Sequence, residues 1–186
     1  MTIVINDGWL STARRLESPN CDGRPSGAEV GLLVVHGISL PPRQYGGPHI
    51  EQFFCNCLDP DADPYFAGII DLQVSSHFLI RRDGELVQFV PLDKRAWHAG
   101  VSCFEGREQC NDFSIGIELE GCDDEAYQVV QYERLAEVCR ALMQHYPNIT
   151  SDRIVGHSDI APGRKTDPGP AFEWGHFRQL LSEGRL

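Results

Sequence analysis

The sequence predicts an α/β fold: a single domain over residues 1–186, built on a central mixed β-sheet flanked by helices. Three observations carry that prediction. Gly31-Leu32-Leu33-Val34-Val35-His36 is a short continuous apolar run, the pattern of a strand covered on both faces. Phe113, Ile115, Ile117 and Leu119 alternate with Ser114, Gly116, Glu118 and Glu120, which is the period of a strand. Tyr132, Leu135, Ala136, Cys139, Leu142, Met143 and Tyr146 recur every three or four residues. That stripe predicts an amphipathic helix of about 17 residues, stopped by Pro147. Strands interleaved with helices build a layered α/β domain.

The remaining elements follow in chain order. The first strand ends at His36, and Pro41-Pro42 and Gly46-Gly47-Pro48 then mark an ordered loop. Residues 49–58 read as a short helix. His77-Phe78-Leu79-Ile80-Arg81 and Leu86-Val87-Gln88-Phe89-Val90 flank Asp83-Gly84, a strong hairpin turn signal. The 113–120 strand has one greasy face and one face of small or acidic residues. Arg153-Ile154-Val155-Gly156-His157 is a second short strand that ends in histidine, and residues 171–182 are predicted to form a last helix across the sheet. No internal repeat, low-complexity tract or domain-separating linker interrupts the chain.

Composition narrows the function. A formal net charge of -11 disfavours nucleic acid and anionic membrane surfaces, which need a basic footprint. No run of about 18 apolar residues is present to span a bilayer. The start, Met1-Thr2-Ile3-Val4-Ile5-Asn6-Asp7, lacks the basic flank and long apolar core of a secretory signal. A cytoplasmic address is therefore expected. The seven cysteines, 21, 55, 57, 103, 110, 122 and 139, are odd in number and irregularly spaced, which fits reduced thiols. Cys55-Asn56-Cys57 has no second close pair to complete a thiolate metal site, so packing thiols are the better reading.

The chemistry concentrates in Gly156-His157-Ser158-Asp159-Ile160-Ala161-Pro162-Gly163-Arg164-Lys165-Thr166-Asp167-Pro168-Gly169-Pro170. Proline fixes φ and glycine frees it, so the backbone shapes such a loop. His36 and His157 both stand where strands meet loops, where ligand sites of α/β sheets gather. Two imidazoles and the Asp167 carboxylate, with water in a fourth position, match a catalytic zinc arrangement. Each residue read singly has an ordinary structural explanation; only the set points to a metal. Glu118 is a general-base candidate on the polar face of its strand, and Glu120, on the same face, competes with it evenly. Lys165 is either an exposed loop lysine or a cation aimed at a developing oxyanion. Trp97-His98-Ala99-Gly100 suits the wall of a sugar-binding groove or, equally, a core Trp with a capping His, and His77 carries the same ambiguity.

Several segments in order resemble the zinc-dependent N-acetylmuramoyl-L-alanine amidases, a family that includes phage-lysozyme-type amidases and peptidoglycan recognition proteins. They are Leu33-Val34-Val35-His36, Ser76-His77-Phe78-Leu79-Ile80, Trp97-His98-Ala99-Gly100, Ser114-Ile115-Gly116-Ile117-Glu118 and Gly156-His157-Ser158-Asp159-Ile160. Ile38-Ser39-Leu40-Pro41-Pro42, Asn111-Asp112-Phe113, Ile117-Glu118-Leu119-Glu120-Gly121 and Lys165-Thr166-Asp167-Pro168-Gly169 are similar to the cytoplasmic branch that acts on 1,6-anhydromuramyl peptides. The resemblance implies one zinc per chain on His36, His157 and Asp167, with Glu118 as catalytic carboxylate and Lys165 as its partner. It implies cleavage of the amide between anhydro-N-acetylmuramic acid and the L-Ala of the stem peptide, in cell-wall recycling linked in some bacteria to β-lactamase induction. Trp97, His98, Gly37 and His77 are expected around the anhydromuropeptide. At Gly37 the cytoplasmic branch usually carries Asn, so the resemblance implies that a substrate-touching amide is missing here. A monomer is expected. The alternatives are a non-catalytic peptidoglycan-binding module, disfavoured by the complete ligand set, and an exported wall-lysing amidase, disfavoured by the missing signal.

Overall fold

The computed structural model describes residues 3–184. Its central sheet has six strands: β1 (Arg14–Arg15), β2 (Leu32–Ile38), β3 (Phe78–Ile80), β4 (Leu86–Gln88), β5 (Ser114–Glu120) and β6 (Ile154–Gly156). They lie in the order β6-β2-β5-β3-β4-β1. β5 runs parallel to both neighbours, β2 and β3, and β6 runs parallel to β2. β1 is parallel to β4, while β3 and β4 pair antiparallel. The sheet is mixed, as the sequence predicts. The helices are α1 (His49–Phe54), α2 (Val129–His145), α3 (His157–Ile160) and α4 (Trp174–Glu183). Among the described residues, no helix is long and apolar enough to cross a membrane.

Side chains alternate across a strand, and that sorts the core into two layers. On one face Leu33 and Val35 of β2 and Ile115, Ile117 and Leu119 of β5 pack against Leu135, Cys139 and Leu142 of α2 and Phe177 and Leu181 of α4. On the other face Leu32 and Val34 pack with Ala99, Cys110, Phe113 and Ile160. Farther along that face Leu79 and Val87 meet Phe53, Phe54, Phe66 and Phe89. His36 continues the row of Leu32 and Val34, and Glu118 continues the row of Ser114 and Gly116. The two are register partners in the parallel β2–β5 pair, so their side chains stand together on the face away from α2.

The elements differ from the sequence reading at their ends. β2 continues two residues past His36, to Ile38. α1 stops at Phe54 rather than 58, and Asn56 enters the left-handed region at φ 57°, which a helix does not continue through. His157 opens α3 instead of closing β6, because the Asp159 carboxylate accepts the Gly156 N–H at 2.7 Å and turns the chain there. α4 begins at Trp174 rather than 171. All seven residues of β5 are buried, so its polar face is covered rather than solvated.

Gly84 and Gly169 are each required both by a positive φ and by close contact. Gly84 has φ +86° in the β3–β4 turn, and a Cβ there would stand 2.6 Å from Val130 of α2. Gly169 has φ +83°, and a Cβ there would meet Asp123 Cα at 2.1 Å. This second approach presses the loop that carries Asp167 against the segment following β5.

Candidate active site

Three elements converge at one end of the sheet. β2 delivers His36, the first turn of α3 delivers His157, and the loop after α3 delivers Asp167. His36 Nδ1 lies 2.9 Å from His157 Nδ1 and 3.2 Å from Asp167 Oδ2, and His157 Nδ1 lies 3.1 Å from the same oxygen. Among the described residues this is the group of histidine, cysteine and carboxylate side chains with metal-holding geometry. Tetrahedral zinc with bonds of about 2.0 Å sets donor–donor edges of roughly 3.3 Å. The observed triangle is close to that, and its two-nitrogen, one-oxygen donor set is a zinc set. Without a cation, two imidazole nitrogens so close accommodate only one proton between them. The residues therefore fit a metal ion.

The electrostatics agree with that fit. Burial holds the His36 imidazole at about 4, against the pull of Asp167, so it is neutral and able to ligate. Burial works to raise Asp167, yet its contacts with His157 and His36 outweigh burial and hold it well below the usual carboxylate range. The loop is anchored independently of its ligand atoms. Ser158 N–H donates to Asp167 O at 3.0 Å, and the Tyr127 hydroxyl donates to Pro168 O at 2.9 Å.

A cavity of about 430 Å³ opens onto the triad and is also lined by Glu118 and Lys165. Glu118 is 8% exposed. Burial, reinforced by the negative charge of Asp167 and opposed by Lys165, pushes its carboxyl well above the ordinary range. Such a carboxylate is a stronger base than one in water. Glu120, its equal in the sequence, is committed elsewhere. It accepts the Gly46 N–H at 2.6 Å and the Arg82 N–H at 3.1 Å, tying the loop after β2 to the β3–β4 hairpin. The structure thus separates the two acids by their partners.

The four residues expected around a substrate divide. Trp97 lines the cavity, and its indole N–H is held by Asp22 Oδ1 at 3.3 Å. Asp22 is itself gripped by Arg95 at 2.7 and 2.6 Å, so the ring has one orientation. Gly37 also lines the cavity. A Cβ on it would meet the Tyr127 hydroxyl at 2.3 Å, so the tyrosine occupies the space a larger residue needs. His98 reaches the cavity, but its ring nitrogens face His36 Nε2 at 2.9 Å and Ser114 Oγ at 3.1 Å. His77 corrects the expectation: it lies within the sheet, 0% exposed and away from the cavity. Its Nδ1 accepts the Gly116 N–H at 3.1 Å, and its Nε2–H donates to Lys94 O at 3.1 Å. Both nitrogens face backbone groups, and Nε2 also lies 3.2 Å from Arg24 Nη2. Ser114, Asn111 and Tyr127 carry no local sequence signal for a site role, because their roles arise from contacts between segments distant in sequence.

His77 carries a pH signature. Burial, with the Arg24 charge beside it, lowers its pKa to about 3. The unfolded value is about 6.5. A histidine whose folded pKa is depressed contributes stability in full above the unfolded value and loses it as pH falls from about 6.5 toward 3. A His77→Gln chain lacks that dependence. The stability advantage of wild type over the variant, measured by urea unfolding of chelated protein, should shrink by about 2 kcal/mol between pH 7.5 and 5. An advantage constant over that range rules out a neutral buried His77.

The sequence model of the N-acetylmuramoyl-L-alanine amidase family matches residues 26–170. The 1,6-anhydro-N-acetylmuramyl-L-alanine amidase AmpD of Escherichia coli (strain K12) is 59% identical over 181 residues, covering 97% of this chain and 98% of that one. A crystal structure of a selenomethionine AmpD derivative superposes with a TM-score of 0.93 at 59% identity, over 96% of this chain and 99% of that one. A complex of the E. coli amidase AmiD with anhydro-N-acetylmuramic acid-L-Ala-D-γ-Glu-L-Lys has a TM-score of 0.59 at 30% identity, over 96% of this chain and 65% of AmiD. Identity of that depth over nearly the full length leaves one assignment: the chain belongs to the N-acetylmuramoyl-L-alanine amidase family.

Proposed function

We propose that this protein hydrolyses the amide between the lactyl group of 1,6-anhydro-N-acetylmuramic acid and the L-Ala that begins its stem peptide, with one zinc ion held by His36, His157 and Asp167. The observation that carries the reading is a metal-fitting triad with edges of 2.9 to 3.2 Å, opening on the cavity that Glu118 and Lys165 also line. The substrate follows from AmpD, whose name states it and which shares 59% of its residues with this chain. When bound, zinc supplies Lewis acidity toward a carbonyl oxygen and brings the pKa of a water toward roughly 7.

The chain's own groups do the rest. Glu118 takes a proton from the attacking water as its oxygen bonds to the lactyl carbonyl carbon. The Lys165 ammonium faces the oxyanion that forms. As the carbon–nitrogen bond breaks, Glu118 returns the proton to the departing L-Ala amine. Trp97 offers its ring, fixed by Asp22, to the apolar face of the sugar. All these groups come from one chain, which fits a monomer. Free thiols at all seven cysteines fit a reducing, cytoplasmic setting.

The test offers the zinc-loaded protein soluble anhydromuropeptide and, separately, intact cell wall, and follows the products by mass spectrometry. Free stem peptide and free anhydro sugar should appear from the soluble substrate. Release from intact wall alone sinks the recycling assignment, and release from neither returns the chain to a binding module.

A further inference from the structure

We propose that His98 is a positioning residue that sets the tautomer of His36, and that segment 98–99 holds both metal-facing histidines from behind. The inference rests on the zinc reading above. It goes beyond both sequence-based readings of the Trp97-His98 pair, a groove wall or a core Trp with a capping His.

The argument is one of proton bookkeeping along a chain of contacts. His36 turns Nδ1 toward His157 and Asp167, so that nitrogen needs its lone pair free and the proton must sit on Nε2. His36 Nε2 lies 2.9 Å from His98 Nδ1, which therefore accepts. The His98 proton is then on Nε2, 3.1 Å from Ser114 Oγ, which accepts it in turn. A metal-bound imidazole generally gives its other N–H to such a partner, which fixes ring and tautomer together. His157 is held in the same way: its Nε2 lies 3.2 Å from Ala99 O, the neighbouring residue in the chain.

The backbone makes the arrangement rigid. Asn111 Oδ1 accepts the N–H of His98 at 3.1 Å and that of Ala99 at 2.8 Å, so one amide registers the whole segment. Arg164 binds the same Ala99 carbonyl at 2.6 Å. Gly116 provides the seat. A Cβ on it would stand 2.6 Å from the His98 ring, so the imidazole lies directly on the strand that also carries Glu118.

The test compares His98→Asn with His98→Leu, which are close in size. Asn keeps an acceptor near the position of Nδ1, and Leu does not. Zinc affinity is measured by competition with a chromophoric chelator, and the His36 tautomer by nitrogen NMR of the ring. His98→Leu should bind zinc 10- to 100-fold more weakly and show His36 with mixed tautomers. His98→Asn should stay within about threefold of wild type and keep the Nε2–H form. Gly116→Ala, which leaves the imidazole chemically intact but displaces it, should weaken zinc as His98→Leu does. Equal losses in the Asn and Leu variants, or wild-type affinity in both Leu and Gly116→Ala, overturn the proposal while leaving the zinc reading intact. A wild-type protein that takes up no zinc overturns both.

Discussion

Glu118→Gln lowers kcat for anhydromuropeptide hydrolysis by about 10²- to 10⁴-fold, with zinc bound at wild-type stoichiometry. Glutamine matches glutamate in shape and accepts no proton, so the variant removes the base and little else. The size of the effect follows from placement. Glu118 is the register partner of His36, which fixes its backbone beside the metal-fitting triad. Its carboxyl is pushed well above the ordinary range by burial, then by the charge of Asp167. A base so raised takes a proton from water more readily than an exposed carboxylate does. KM should change little, because the lost interaction belongs to proton transfer rather than to substrate binding. Metal-free Glu118→Gln should also unfold no earlier than metal-free wild type at pH 8, since burial penalises ionisation of the Glu118 carboxyl and glutamine has no charge to bury. A rate within a few-fold of wild type removes Glu118 from the mechanism. Glu120 offers no substitute, because Gly46 and Arg82 already occupy its carboxylate.

The parts of this protein that were legible in its sequence are those written in local periodicity. Alternation along 113–120 and the three-to-four spacing from Tyr132 to Tyr146 gave β5 and α2 because each pattern needs only its own segment. Asp83-Gly84 marked the hairpin for the same reason. His36 and His157 stood out because each follows an apolar run. What periodicity does not encode is which partner a polar side chain meets. His77 and His98 look alike as residues, yet one is held by backbone groups and Arg24 and the other faces a metal-fitting imidazole. The difference is made by Lys94 and Gly116 in the first case and by His36 and Ser114 in the second, none of them adjacent to either histidine in the chain. Gly37 is similar. Its lack of a side chain reads as a missing contact, but the Tyr127 hydroxyl, ninety residues on, stands where a side chain would begin.

Removal of the metal with a strong chelator abolishes turnover and leaves the fold in place. Two groups of contacts decide this outcome. The core is built by aliphatic and aromatic packing on both sheet faces and includes none of the three ligating side chains. The ligand loop is pinned by Ser158 N–H on Asp167 O, Tyr127 on Pro168 O and Gly169 N–H on Thr166 O at 2.9 to 3.0 Å, none of which passes through a metal. Zinc then contributes to stability only by mass action, about 4 kcal/mol when its free concentration is a thousandfold above Kd. The chelated protein should keep its far-ultraviolet circular dichroism and its cooperative unfolding, with a lowered midpoint. Because the triad is held in register without the ion, activity should return on zinc addition without a refolding step. Turnover that survives full chelation removes the metal from the reaction. Loss of the circular dichroism signal on chelation instead makes zinc a structural staple, and His36, His157 and Asp167 would then hold the fold rather than do its chemistry.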